Sequence, residues 1–209
     1  MATQVSSTIK KIRTWPAWAR VGLIVGLLAV IFVALNAQYF WANLRFSAGP
    51  SSPPPPVSQQ PSGPVGEPNL LEIPSLKISA PVIYVNEQSE EVYQAALADG
   101  VVHFPGTAEP GQPGNVYIFG HSSDYLFSKG KYKTVFALLP RIENGAEIRI
   151  SDSQGRQFTY KVFDQKVVSP KDFSVLDQGD GSKKLLTLQT SYPVGTALRR
   201  YVVVAELAE

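Results

Sequence analysis

Between Arg20 and Arg45 the chain carries 24 residues without a formal charge, VGLIVGLLAVIFVALNAQYFWANL. As one helix this run rises ~36 Å, enough to cross the ~30 Å hydrocarbon core of a bilayer. No polar face interrupts its first 15 residues, which argues against a helix laid on the surface of a soluble domain. Trp15 and Trp18 precede the run and Tyr39, Phe40 and Trp41 close it, where aromatic rings settle at membrane interfaces. The competing reading is a cleaved signal peptide, but the run exceeds an ordinary hydrophobic region, and the small-residue triplet SAG comes only after Arg45.

Lys10, Lys11, Arg13 and Arg20 lie before the run with no acidic residue among residues 1–44. The positive-inside bias therefore puts residues 1–20 in the cytoplasm, residues 21–44 in the membrane and the rest outside the cell. Residues 45–68, which include SAGPSSPPPPVSQQPSGPVGEP, offer little apolar surface to bury and read as an extended stalk.

From Asn69 the pattern changes to short apolar runs broken by turn residues. Strands are expected at Leu70–Ile73, Pro81–Val85, Val101–Phe104, Asn115–Gly120, Glu147–Ser151, Gln157–Gln165, Leu185–Thr190 and Arg200–Glu206. PGQPG, ENGA and SDSQGR supply turns between them, and short helices are expected at Glu90–Ala98 and Lys133–Leu138. About eight strands in so short a stretch predict a mainly β domain over residues 69–209, closed or nearly closed into a barrel.

Composition removes several chemistries. Cysteine is absent, so there is no disulfide, thiolate metal site or thiol nucleophile. Two histidines, His103 and His121, make no zinc site by themselves, and no phosphate-cradling glycine loop occurs. The stretch 69–209 has 14 Lys or Arg against 16 Asp or Glu, a net of −2 that gives no basic surface for nucleic acid. No cofactor and no metal are expected.

Two strand ends present reactive groups. GNVYIFGHSSD runs an apolar strand into Gly120 and His121, and LLTLQTS ends on Ser191, with Arg199 and Arg200 opening the next strand. Brought together, these supply an acid or base, a nucleophile position and a cation for a developing oxyanion. Taken singly, they read equally as a loop histidine, a turn serine and a solvated arginine pair.

The stretch Leu70–Glu206 resembles the sortases, membrane-anchored cysteine transpeptidases of the bacterial surface. The likeness is carried by LEIPSLKISAPVIYV, by GVVHFPGTAEPGQPGNVYIFGHSS, by TLQTS in place of a TLxTC strand, and by RYVVVAEL, in order. It implies a closed eight-stranded barrel with a few short helices. It further implies that His121 and Arg200 are the catalytic histidine and arginine, and that Ser191 stands where the nucleophilic cysteine belongs. Thr190 and Gly120 fall at substrate-binding positions, His103 at a structural one. The loop Val168–Lys184 resembles the one lining the signal-binding groove, and its Asp172, Asp177 and Asp180 form no recognisable calcium loop.

The implied reaction is attack on the Thr-Gly bond of an LPxTG-like sorting signal, followed by transfer to a peptidoglycan or pilin amine. Serine alters that chemistry. A thiol ionises near pH 8.5 and is readily held as thiolate beside a cationic imidazole. An alcohol must lose its proton during attack to an imidazole oriented by a carboxylate. Asp124, three positions after His121, has no assigned place on that imidazole. Turnover is therefore expected to fall by orders of magnitude, which leaves a signal-binding module without turnover, or a serine hydrolase, as other readings.

Overall fold

The structure, a computed structural model, describes residues 16–35, 37–48, 66–123 and 130–208. The basic residues Lys10, Lys11 and Arg13, most of the stalk and Asp124 lie outside these residues. Contacts divide the chain into Met1–Ala37 and Gln38–Glu209. In the first unit, helix α1 spans Ala17–Leu35. Its window Ala17–Ala34 has a mean hydropathy of 2.3 and no buried share, so it is long and apolar enough to cross a membrane. Within the uncharged run, residues 21–35 lie in α1 and residues 37–44 in α2, Ala37–Ala48, where Phe40, Trp41 and Leu44 are exposed; Asn36 lies outside the described residues.

The remainder of the second unit is a closed barrel of eight strands. They are β1 (Leu70–Ile73), β2 (Ile78–Tyr84), β3 (Val101–His103), β4 (Gly114–Phe119), β5 (Glu147–Ser151), β6 (Gln157–Val168), β7 (Lys184–Tyr192) and β8 (Arg199–Leu207). Around the barrel the order is β1-β2-β3-β4-β7-β8-β6-β5, with β5 pairing back to β1. The β2–β3 and β4–β7 pairs are parallel and the rest antiparallel. All eight expected strands form. β6, β7 and β8 run longer than the apolar pattern suggested, because the added residues at their ends still pair with neighbouring strands.

Alternation along the strands sorts side chains onto two faces. Leu71, Ile73, Val116, Ile118, Tyr160, Val162, Leu186, Leu188, Val203 and Ala205 fill the barrel interior. Their neighbours Tyr117 and Val202 point outward and join Val168 and Val175 in a second apolar cluster. Helix α3, Glu90–Asp99, covers a third, with Ala96 and Leu97 against Val102. Its start is set by Ser89, whose hydroxyl accepts from the Val92 N–H at 3.3 Å, and by Glu90 and Glu91 near the positive end of the helix dipole.

The helix expected at Lys133–Leu138 is a succession of turns followed by a 3₁₀ helix, Leu139–Arg141. The cause is local. The Phe136 N–H donates to the His121 carbonyl and so leaves the helical ladder, while Pro140 has no N–H to offer the Phe136 carbonyl.

The chain enters the barrel at one end. There the Gly66 N–H donates to the Gly155 carbonyl, the Asn69 N–H to that of Asp152, and the Leu70 N–H to Ser151 Oγ. That end holds the starts of β4 and β7; His121 and Ser191 lie at the other ends of those strands.

Tyr160 is wholly buried, and its hydroxyl accepts from the Gly111 N–H at 2.9 Å. Tyr160→Phe removes only that acceptor, so chemical denaturation should show a loss of about 1–3 kcal/mol with the denaturant slope unchanged.

Candidate active site

Strand register pairs Ser191 with Arg200 and brings the end of β4, just before His121, alongside β7. The parallel ladder between β4 and β7 ends on Phe119↔Gln189, and the Gly120 N–H continues it to the Gln189 carbonyl at 3.1 Å. Two residues on from that pair, Ser191 still lies in β7, while His121 stands just past the end of β4, next after the Gly120 that last ties the two. Across the other edge of β7, Ser191 pairs directly with Arg200 of the antiparallel β8. Val116, Ile118, Leu186, Leu188, Val203 and Ala205 point inward. Alternation from them puts Ser191 and Arg200 together on the outer face.

His121, Ser191 and Arg200 are each partly exposed, so groups from solution can reach them. Arg199 pairs instead with Tyr192, one position out of phase, and its side chain falls on the other face.

The loops that carry these residues are tied down. The His121 carbonyl accepts from the Phe136 N–H at 2.9 Å. Two residues on, Ser123 Oγ accepts from the Gly195 N–H at 3.0 Å, linking the histidine loop to the turn between β7 and β8. Arg200 Nη1 donates to the Ala197 and Arg199 carbonyls, both at 3.1 Å, which folds the guanidinium over that same turn. Neither Ser123 nor Phe136 stands out in the sequence, since each acts through backbone partners remote along the chain.

Thr190 and Gly120 are brought together on the inner face. Thr190 is 2 % exposed and its hydroxyl donates to the Gly120 carbonyl at 2.8 Å. That bond fixes the last step of both strands before His121 and Ser191. A Cβ on Gly120 would lie 2.8 Å from the Phe136 ring and 3.0 Å from Val101 Cγ1, and both of those residues are fully buried. Glycine is required there by close approach.

His103 lies at the far end of the barrel. It is buried, stacked on Tyr84 with ring centroids 4.7 Å apart, and its Nε2 is 2.9 Å from the Ala108 carbonyl. A carbonyl only accepts, so Nε2 carries the proton. Burial pulls the imidazole below its ordinary value, against the Ala108 hydrogen bond and the Glu109 charge, which pull the other way. The same end carries an open cleft of about 340 Å³ lined by Glu109, Gly111, Asp152, Arg156 and Phe158. Asp152 is already engaged there by the Arg156 Nε at 2.7 Å.

The segment 169–183 lies over the outer cluster, with Val175 and Leu176 packed beside Tyr117, Val168 and Val202. Its carboxylates shape its own turns: Asp172 accepts from the Ser174 N–H and hydroxyl, Asp177 from the Gly179 N–H, and Asp180 from the Ser182 N–H. Among the described residues no group of three or more His, Cys, Asp or Glu could hold a metal ion. Asp124, the possible partner for His121, lies outside them.

Residues 71–208 match the Sortase domain family. Among solved structures, a Clostridium perfringens sortase D5 transpeptidase is 27 % identical over 67 % of this chain and 78 % of its own, with a TM-score of 0.55. Sortase C-1 from Actinomyces oris is 26 % identical over 67 % of this chain and 72 % of its own, with a TM-score of 0.56. A lid mutant of sortase A from Corynebacterium diphtheriae is 26 % identical over 67 % of this chain and 69 % of its own, TM-score 0.56. No curated protein matches the sequence.

Two outcomes follow from this geometry. Gly120→Ala overpacks the site against Phe136 and Val101, and thermal or denaturant unfolding should show a loss of about 1–3 kcal/mol. For His103, the unfolded chain takes up a proton near pH 6.5 that the folded chain refuses until lower pH. Stability is then fully present above about pH 6.5 and falls as pH drops toward the lowered folded value. His103→Gln should flatten the slope of unfolding free energy just below about pH 6.5; an unchanged slope contradicts the assignment.

Proposed function

The chain belongs to the sortase family of cysteine-type transpeptidases, and from that premise we propose that it is a membrane-anchored member whose reacting groups are His121, Ser191 and Arg200. The observation that carries this reading is the register that sets Ser191 opposite Arg200, with the partly exposed His121 next after the Gly120 N–H that bonds the Gln189 carbonyl of the same strand. Sortases in general take sorting-signal substrates and amine acceptors. This one acts on an LPxTG-like signal and hands the protein to a peptidoglycan or pilin amine.

In the family's chemistry a thiolate at position 191 attacks the carbonyl carbon of the Thr-Gly bond. Arg200 faces the oxygen on which charge develops, and His121 gives a proton to the departing glycine amine. The resulting thioester is opened by the acceptor amine, which forms the new amide and returns the thiol. Gly120 and Thr190 hold the two strand ends at the spacing this needs, through the bond from Thr190 Oγ1 to the Gly120 carbonyl.

With Ser191 the first step requires the hydroxyl proton to pass to neutral His121 as the bond forms. The alcohol is far less acidic than a thiol, so acylation is the step most impaired. This same serine favours a second reading, a signal-binding domain that holds its ligand without turnover.

The apolar helix α1 supplies the anchor, with residues 1–20 cytoplasmic and the barrel outside the cell. The barrel is entered at the end remote from Ser191, so the stalk joins away from the site.

Ser191→Cys, incubated with an LPxTG-type peptide and an amine, should yield ligated product well above the level of the unaltered chain. In that background His121→Ala should lower the rate roughly 10²–10⁴-fold. Absence of product with every such peptide, while the chain still binds one of them, selects the binding domain.

A further inference from the structure

The edge of β4 is left open by a short neighbour. β3 pairs with β4 only at Val102↔Phe119 and His103↔Ile118, and the Phe104 N–H makes one more bond to the Tyr117 carbonyl. Beyond that, on the side away from β7, the main chain of Asn115 has no strand to pair with. A backbone N–H and C=O left unpaired in the interior are costly.

The side-chain amide of Gln178, from the segment 169–183, takes the place of the missing strand. Its Oε1 accepts from the Asn115 N–H at 3.1 Å and its Nε2 donates to the Asn115 carbonyl at 3.1 Å. The same amide reaches two further backbone groups: Oε1 accepts from the Ala108 N–H at 3.1 Å, and Nε2 donates to the Leu176 carbonyl at 2.9 Å. Asn115 reciprocates, its Nδ2 donating to the Val175 and Asp177 carbonyls at 3.0 and 3.2 Å. A Cβ at Gly114 would sit 3.0 Å from Gln178 Oε1, so glycine leaves room for the amide to approach.

We propose that Gln178 is a positioning residue that clasps the segment 169–183 onto β4 and so keeps the approach to Ser191 preformed for an extended peptide. The inference rests on the transpeptidase reading. Six hydrogen bonds between two side-chain amides and the main chain hold Val175–Gln178, while Asp172, Asp177 and Asp180 close turns within the segment. Val175 and Leu176 are thereby fixed against Tyr117 and Val202, on the face that carries Ser191. A segment ordered beforehand loses little conformational freedom when a peptide docks. Only an amide fits the role, because the clasp needs two acceptor and two donor contacts from one planar group.

The test compares the full chain with Gln178→Ala and with Gln178→Glu, which keeps both acceptor contacts and loses both donor contacts. Hydrogen–deuterium exchange should speed up about tenfold or more across 169–183 in both variants, with β7 and β8 amides unchanged. Calorimetry with a synthetic LPxTG-type peptide should show affinity weakened about tenfold. In the Ser191→Cys background KM should rise while kcat stays within about twofold, since the clasp touches none of the reacting groups.

If Gln178→Ala fails to fold, exchange across the whole barrel reports it and Gln178→Glu decides the matter. Unchanged exchange in 169–183 overturns the clasp, and faster exchange with unchanged affinity overturns its role in positioning. Slowed exchange on adding calcium to the unaltered chain also overturns it, by assigning the order to a metal. Should the unaltered chain bind no such peptide, the transpeptidase reading falls, and the exchange result still tells whether the clasp exists.

Discussion

The parallel pairing of β4 with β7 is the constraint on which the rest depends. It brings together two strands remote in sequence and sets their ends level to the residue. A slip of one residue would turn Leu186 and Leu188 out of the core and Ser191 into it, so the interior packing enforces the register of the site. The buried bond from Thr190 to the Gly120 carbonyl locks the final step. Packing and chemistry are here the same requirement, expressed on opposite faces of one strand pair.

The two faces have different duties. Inward residues of β4, β7 and β8 are aliphatic and bury the core, while outward residues supply first an apolar floor of Tyr117 and Val202 and then the polar groups Ser191 and Arg200. Over that floor lies a segment held by side-chain amides. The opposite end of the barrel takes in the chain from the stalk and buries His103. The two histidines thus lie at opposite ends of the barrel, His103 buried and His121 partly exposed.

Much of this could be read from the residues. The strands announce themselves through alternating apolar positions and the turns between them, and the order of motifs gave the barrel and the family, with His121, Arg200 and Ser191 proposed from the same motifs. Part of the longer ends of β6, β7 and β8 was hidden because Lys166, Ser191 and Arg199 are held there by pairing and not by burial. Lys133–Leu138 misled because its helical composition is overridden by the Phe136 bond to His121 and by Pro140. The inward direction of Thr190 needed the register, and the Asn115–Gln178 clasp joins residues 63 apart with no local signature. The uncharged run that suggested one long span is covered by α1 and α2, of which α1 is long and apolar enough to cross a membrane.

The central claim is that position 191 is where the acyl group is carried. Mass spectrometry of the Ser191→Cys chain, quenched during reaction with an LPxTG-type peptide, tests it most directly. The account predicts a covalent adduct at position 191, equal to the peptide cleaved after its threonine and discharged when an amine is added. Peptide cleavage with no adduct, or an adduct at any other residue, would contradict it.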